Sequence, residues 1–192
     1  MSLQVYLLLL ALLAAERVSE VFRAAHNRRW ALARGAVESG RGVHQLMVVF
    51  HCLFFVSCAT EALLIRPPFP GRLGWMALVV ALLAQALRAW VMTSLGPRWN
   101  TRVLVIPGLQ PVRAGPYRWI RHPNYLAVAL EIAAVPMVHG CWRTALGFSL
   151  AHIPLLAARI RIEERAMGPG YQDAMGRRPR FLPRSSHFRP AP

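Results

Sequence analysis

The chain is laid out as apolar blocks, most of them roughly 17 to 23 residues long, about what a helix needs to cross a hydrocarbon layer of ~30 Å. They fall at 2–22, 43–65, 73–95, 125–139 and 142–159, the fourth short unless it begins at His122. Nothing between them reads as a soluble domain. The expectation is one all-α integral membrane domain spanning 1–192, with about five transmembrane helices. The first block lacks a basic leader and a small-residue cleavage site, and Glu16, Arg17 and Glu20 follow on the same helix. It reads as a retained span and not as a signal peptide.

A net charge of +15 invites a nucleic-acid reading, but the distribution of that charge argues against one. All 23 basic residues are arginine. With five spans, 18 of them, in the segments 23–41, 98–121 and 159–189, fall on one face, against Arg66, Arg72 and Arg143 on the other. So strong a bias places the N-terminus outside and the C-terminus in the cytoplasm, of a bacterial inner membrane, with the basic face against anionic lipid. Connections on the outer face are short: RPPFPGR at 66–72 and HGCWR at 139–143 read as tight turns. Those on the basic face are long and carry aromatic and apolar residues among the charges, as folded, functional segments do. The last residues, 184–192, rich in Pro and Arg and including His187, are expected to fray.

No glycine-rich dinucleotide loop, phosphate-binding loop, zinc-protease motif or serine-hydrolase elbow occurs. Cys52, Cys58 and Cys141 have neither metal-ligand nor redox spacing and read as small buried hydrophobes. His44, His51, His139 and His152 show no ligand spacing and read as packing residues, while His26 is expected to face solvent. Trp75, Trp90, Trp99, Trp119 and Trp142 lie near span ends, as an interfacial belt requires.

Two stretches on the basic face concentrate polar groups. In GPYRWIRHPNY, 115–125, Pro123 suits the first turn of a helix, which leaves Arg121 and His122 at its threshold and Asn124 and Tyr125 inside it. Free amides at such an end attract a carboxylate or phosphate. An interfacial cap touching lipid headgroups is the plainer reading of the same residues. In RIRIEER, 159–165, Glu163 and Glu164 diverge by about 100° around a helix, so one can enter a cavity while the other meets solvent or arginine. Arg159 shares a face with Glu163, and a solvated helix end with an i,i+4 pair is again the plainer reading. Within the spans, Glu131 faces the bundle interior, where structural pairing is its expected role, and Arg88 is expected to snorkel.

Taken in order, G-x-Y-x-x-x-R-H-P-x-Y, one hydrophobic hairpin, R-x-x-x-E-E-x-x-M and G-x-x-Y, this pattern over 96–183 resembles the isoprenylcysteine carboxyl methyltransferase family, grouped with phospholipid methyltransferases. The stretch 16–40 is similar to a bacterial subgroup that methylates alkylpyrones or related phenolic lipids beside type III polyketide synthases. The resemblance implies N-terminal spans at 1–95 and a methyltransferase core at 96–183. It implies a cytoplasmic S-adenosylmethionine site on Tyr117, His122, Pro123, Asn124, Tyr125 and Glu163, with a backbone contact near Val112, and it puts the substrate arginine at Arg159. Where relatives carry H-x-L-V this chain has Leu109, Gln110, Pro111 and Val112, so a histidine contact is missing.

The chemistry suits these residues. Tyr117 or Tyr125 can face a sulfonium, Arg121 or His122 a carboxylate, and Glu163 an ammonium or ribose. Methyl transfer is a direct displacement that needs alignment and exclusion of water. Arg159 can hold an ionised acceptor oxygen, while the acceptor's alkyl tail stays among the helices. The expected partner is a lipophilic acceptor: an alkylpyrone or related polyketide lipid, or else an isoprenylcysteine-like carboxylate or a phospholipid amine. A small transporter or scaffold using Glu131 and Arg88 is the non-enzymatic alternative, weakened by the absence of inverted repeats.

Overall fold

A computed structural model describes residues 1–182; the tail at 184–192, with His187, lies outside the described residues. Each apolar block becomes one helix. These are α1 (Leu3–Leu32), α2 (Arg41–Thr60, extended by a π turn at Glu61–Ile65), α3 (Arg72–Leu95), α4 (Pro123–Met137) and α5 (Trp142–Met167). A short α6 (Pro169–Met175) follows, and two three-residue strands, β1 (Val37–Ser39) and β2 (Val103–Val105), pair antiparallel with Val37 opposite Val105. The helices from Arg41, Arg72 and Trp142 are long and apolar enough to cross a membrane, and α4 is a shorter apolar helix. α1 has the length but carries Glu16, Arg17 and Glu20 within its central turns. The chain is an integral membrane protein of largely helical fold.

Two helices outrun the sequence reading. α1 continues ten residues beyond the predicted end at Phe22, because AAHNRRWAL contains good helix formers and no glycine or proline. The stretch from His26 to Leu32, expected in a loop, is therefore helical, and His26 is exposed on it. α5 runs to Met167, where Gly168 at φ 72° ends it and Pro169 starts α6.

Alternating helix directions bring one set of ends together on each side. On the arginine-poor side, Tyr6, Phe54, Cys58, Ile132, Val138 and Cys141 form the apolar core, and Tyr6 stacks on His139 at 5.0 Å. There the buried Glu61, set by the π turn, accepts hydrogen bonds from the Thr144 amide (2.7 Å) and hydroxyl (2.6 Å), capping α5. A Cβ on Gly74 would lie 2.8 Å from the Val138 carbonyl, so only glycine lets α3 approach this closely.

On the arginine-rich side, Asn27 of α1 donates to the Trp99 carbonyl at 2.7 Å, and Asn100 donates back to the Ala24 carbonyl at 2.9 Å. Trp99 is thereby buried against Ala24 and Val91 instead of joining the belt, whereas Trp75, Trp90 and Trp142 are exposed. Glu38 on the ribbon gathers Arg102 (2.6 Å), Arg28 (3.0 Å) and Arg41 (3.6 Å), tying α1, α2 and β2 together. Burial alone would raise its carboxyl, but the hydrogen bonds from Arg102 and Arg28 outweigh burial and hold it below the ordinary carboxylate value.

Candidate active site

A cavity of about 1090 Å³ opens at the arginine-rich end between α1, α2, the ribbon and the ends of α4 and α5. Pockets for single small ligands run to ~300–1,000 Å³, so there is room for a cofactor and part of a lipid. Its outer part is polar. Farther in, Val18, Val21, Val48, Cys52 and Phe55 make an apolar groove.

The polar part is built by the turn before α4. Gly115, at φ +58°, starts a short 3-10 turn through Arg118, and a side chain there would collide with Ser94. Ile120 is buried, His122 takes a non-helical conformation at φ −125°, and Pro123 opens α4. The backbone amides of Arg121 and His122 are not free, as the sequence suggested, but donate to the carbonyls of Pro179 (2.9 Å) and Arg180 (3.0 Å). A strap after α6 thus lies along the RHP turn, and Arg178 adds a bond to the Arg118 carbonyl at 3.0 Å.

The two glutamates of α5 part company around the helix. Glu164 turns to the strap: Arg180 donates at 2.7 Å and 3.2 Å, Arg121 lies at 3.1 Å, and His122 Nε2 stands 3.0 Å from it. The side chains of Arg121 and His122, expected to face a ligand carboxylate, face this protein carboxylate. Glu163 lines the cavity and accepts the Tyr125 hydroxyl, which in turn accepts Arg159 Nε at 3.0 Å. Arg159 and Glu163 therefore meet through Tyr125 and not as a direct pair. Arg159 is 3% exposed; Nη2 donates to the Thr101 carbonyl at 2.9 Å, and Nη1 has no hydrogen-bond partner among the described residues. The rings of His122 and Tyr125 stack at 5.4 Å.

Of the residues singled out in the sequence, Val112, Tyr117, Arg121, His122, Asn124, Tyr125, Arg159 and Glu163 all border this cavity. Pro123 does not; it is fully buried in the first turn of α4. Leu109, Gln110, Pro111 and Val112, where the histidine is missing, form the loop over the cavity's rim. Burial, and then the Glu163 charge, push the phenols of Tyr117 and Tyr171 well above their ordinary value, so both rings stay neutral. Tyr171 was visible as the last residue of G-x-x-Y, while Glu164's role as a hub and Arg180's part in it had no spacing to reveal them.

Farther in lies a second polar group. Arg88 does not snorkel: it is buried and grips Glu20 with Nε at 2.7 Å and Nη2 at 3.2 Å. Arg17 reaches Glu20 (2.7 Å), Gln85 (3.0 Å) and Glu131 (3.3 Å), and Gln85 donates to Glu16. Glu131 thus takes the structural pairing expected of it.

The outer cavity suits a cofactor made of a sulfonium, an amino acid and a nucleoside. Glu163 is an acidic acceptor for an ammonium or ribose, neutral tyrosine rings stand beside it, and Arg159 adds a buried guanidinium to the same wall.

Sequence comparison places this geometry among known proteins. The family model described as isoprenylcysteine carboxyl methyltransferase (ICMT) family matches residues 76–169, from α3 to the start of α6. The uncharacterized protein YpbQ of Bacillus subtilis (strain 168) is 38% identical over 161 residues, covering 83% of this chain and 95% of that protein. An uncharacterized protein of Haemophilus influenzae is 27% identical over 137 residues, 71% of this chain and 79% of that one.

Proposed function

The chain belongs to the isoprenylcysteine carboxyl methyltransferase family, and from that premise we propose that it is an S-adenosylmethionine-dependent O-methyltransferase for a lipophilic acceptor, an alkylpyrone or related type III polyketide lipid. One observation carries the reading: a single cavity joins the polar wall at Tyr117, Tyr125, Arg159 and Glu163 to the apolar groove between α1 and α2.

Bound S-adenosylmethionine supplies an electrophilic methyl group on sulfur. Tyr117 offers a neutral aromatic face to the sulfonium, and Glu163 takes hydrogen bonds from the ammonium or ribose. Glu164 holds Arg121 and His122 in place from behind, so the wall is preformed. Arg159 lines the cavity as a cation that would stabilise the acceptor oxygen as the anion, which suits an enolic or phenolic hydroxyl. Its Nε, bound to Tyr125, keeps the guanidinium from swinging away. Val18, Val21 and Phe55 shelter the alkyl tail and keep water from the reacting oxygen.

The test is calorimetry of S-adenosylmethionine and its demethylated product against the folded protein in detergent. It is followed by transfer of a labelled methyl group to alkylpyrones, alkylphenols, an isoprenylcysteine and a phospholipid. Cofactor binding with methylation of the first two classes is the expected result. Absence of any cofactor binding sinks the proposal, and labelling of the isoprenylcysteine or phospholipid alone replaces the acceptor.

A further inference from the structure

A phenolic or enolic oxygen arrives with a proton that must leave as the methyl group is taken up, because the neutral hydroxyl is a poor nucleophile. Arg159 can steady the anion, but a guanidinium has donors only and cannot remove that proton. The base must come from elsewhere on the cavity wall. Three histidines line it: His44, His51 and His122. His122 is 3% exposed and committed to Glu164 at 3.0 Å. His51 bonds through Nδ1 to the Met47 carbonyl at 2.7 Å, and it stands seven residues, ~10 Å, farther along α2 than His44, toward Arg17 and Glu131. Glu163 already accepts the Tyr125 hydroxyl, and a carboxylate, at ~4.3, is ordinarily a weaker base than an imidazole, at ~6.5.

His44 is placed differently. It lies in the first turn of α2, is only half-buried, and borders the cavity. The Thr101 carbonyl, which accepts Arg159 Nη2 at 2.9 Å, also attracts the His44 ring. One carbonyl thus ties this histidine to the guanidinium assigned to the acceptor oxygen. In a neutral imidazole the nitrogen turned to a carbonyl carries the hydrogen, which leaves the other nitrogen able to accept one. The charged groups that bear on the ring are Arg102 and Glu38 at the ribbon and Arg159 on α5. We propose that His44 is the general base of methyl transfer, a role that a hydroxyl acceptor requires and a carboxylate, which arrives ionised, does not. This rests on the acceptor reading above and narrows it. As the acceptor oxygen forms its bond to the methyl carbon, the carbon–sulfur bond breaks and sulfur keeps the electron pair, while the O–H proton passes to the free ring nitrogen of His44. The imidazolium then gives that proton to water at the cavity mouth.

The experiment uses the full chain in detergent, S-adenosylmethionine with a labelled methyl group, and two alkylphenols, one plain and one with a ring nitro group that leaves it ionised near neutral pH. In single turnovers His44→Gln should slow methylation of the plain phenol about 100-fold, within the range a positioned base supplies, and that of the nitrophenol less than about threefold. The variant's rate on the plain phenol should also climb with pH, since solvent must now ionise the acceptor, and calorimetry should find binding of the demethylated cofactor unchanged. An equal loss on both phenols makes the histidine a structural residue and overturns the proposal, as does no loss on either. If the variant does not fold, the unaltered protein decides: heavy water should slow transfer to the plain phenol and not to the ionised one, and equal effects overturn the role. An unaltered protein that methylates neither phenol overturns the acceptor reading and the role together, whereas methylation of both with no difference on substitution overturns the role alone.

Discussion

The cavity has two charged clusters, one at its mouth and one at its floor, and they are built to opposite rules. At the mouth, Arg121, Arg159 and Arg180 outnumber Glu163 and Glu164, and backbone bonds from the strap fix the geometry. At the floor, Glu16, Glu20 and Glu131 outnumber Arg17 and Arg88, and side chains alone hold α1 to α3 and α4. A surplus charge beside an open cavity can be turned to binding; within the bilayer each charge depends on its partner. Removing a partner should therefore harm folding at the floor and chemistry at the mouth.

The largest effect belongs to the floor. Glu20→Leu strands Arg88 and should destabilise the protein by about 3–5 kcal/mol, read by denaturant unfolding in detergent. A loss under about 1 kcal/mol would mean that water reaches Arg88 and the floor is as screened as the mouth. Next, Arg159→Met removes a buried guanidinium bonded to Tyr125 and Thr101; it should cost less stability than Glu20→Leu while lowering methyl transfer by about 100-fold or more. Should Arg159→Met unfold the chain instead, the contrast between the clusters fails.

Smaller effects sharpen the comparison. Arg180 is half exposed, so Arg180→Ala should hardly change stability, yet weaken binding of the demethylated cofactor several-fold by loosening Glu164, His122 and Arg121. Calorimetry of both variants checks this, with Arg180→Lys restoring most of the affinity. The smallest effect is at Glu38, on the β1–β2 ribbon. Its carboxyl lies below its ordinary value of about 4.3 when folded, so its stabilisation is present above that value and is lost as pH falls through the folded pKa. Melting curves below pH 5 should fall less steeply in Glu38→Gln than in the unaltered protein.

Much of the architecture can be read from period and charge. Block length marks the five helices, and the arginine bias marks the end where the cavity lies. The mouth is legible because Pro123 and the Glu163–Glu164 pair have local meanings that hold wherever the helices go. The floor is not, because Arg17 and Glu20 on α1, Arg88 on α3 and Glu131 on α4 lie far apart in sequence, and only the packing of α1 against α3 and α4 makes them a group. The same holds for Arg88, whose position near a helix end suggests snorkelling until Glu20 is known to face it. The strap was hidden for a different reason: a bond from the His122 amide to the Arg180 carbonyl depends on no side chain.

That strap also orders events in time. Pro179 and Arg180 come after α1 to α6, and they supply the carbonyls that fix the RHP turn and the guanidinium that fixes Glu164. A nascent chain can insert α1 to α5 and bury its apolar core while the mouth is still unfinished. A partly made molecule therefore lacks the finished polar wall proposed to hold the cofactor, and newly inserted copies complete it only once synthesis has passed α6.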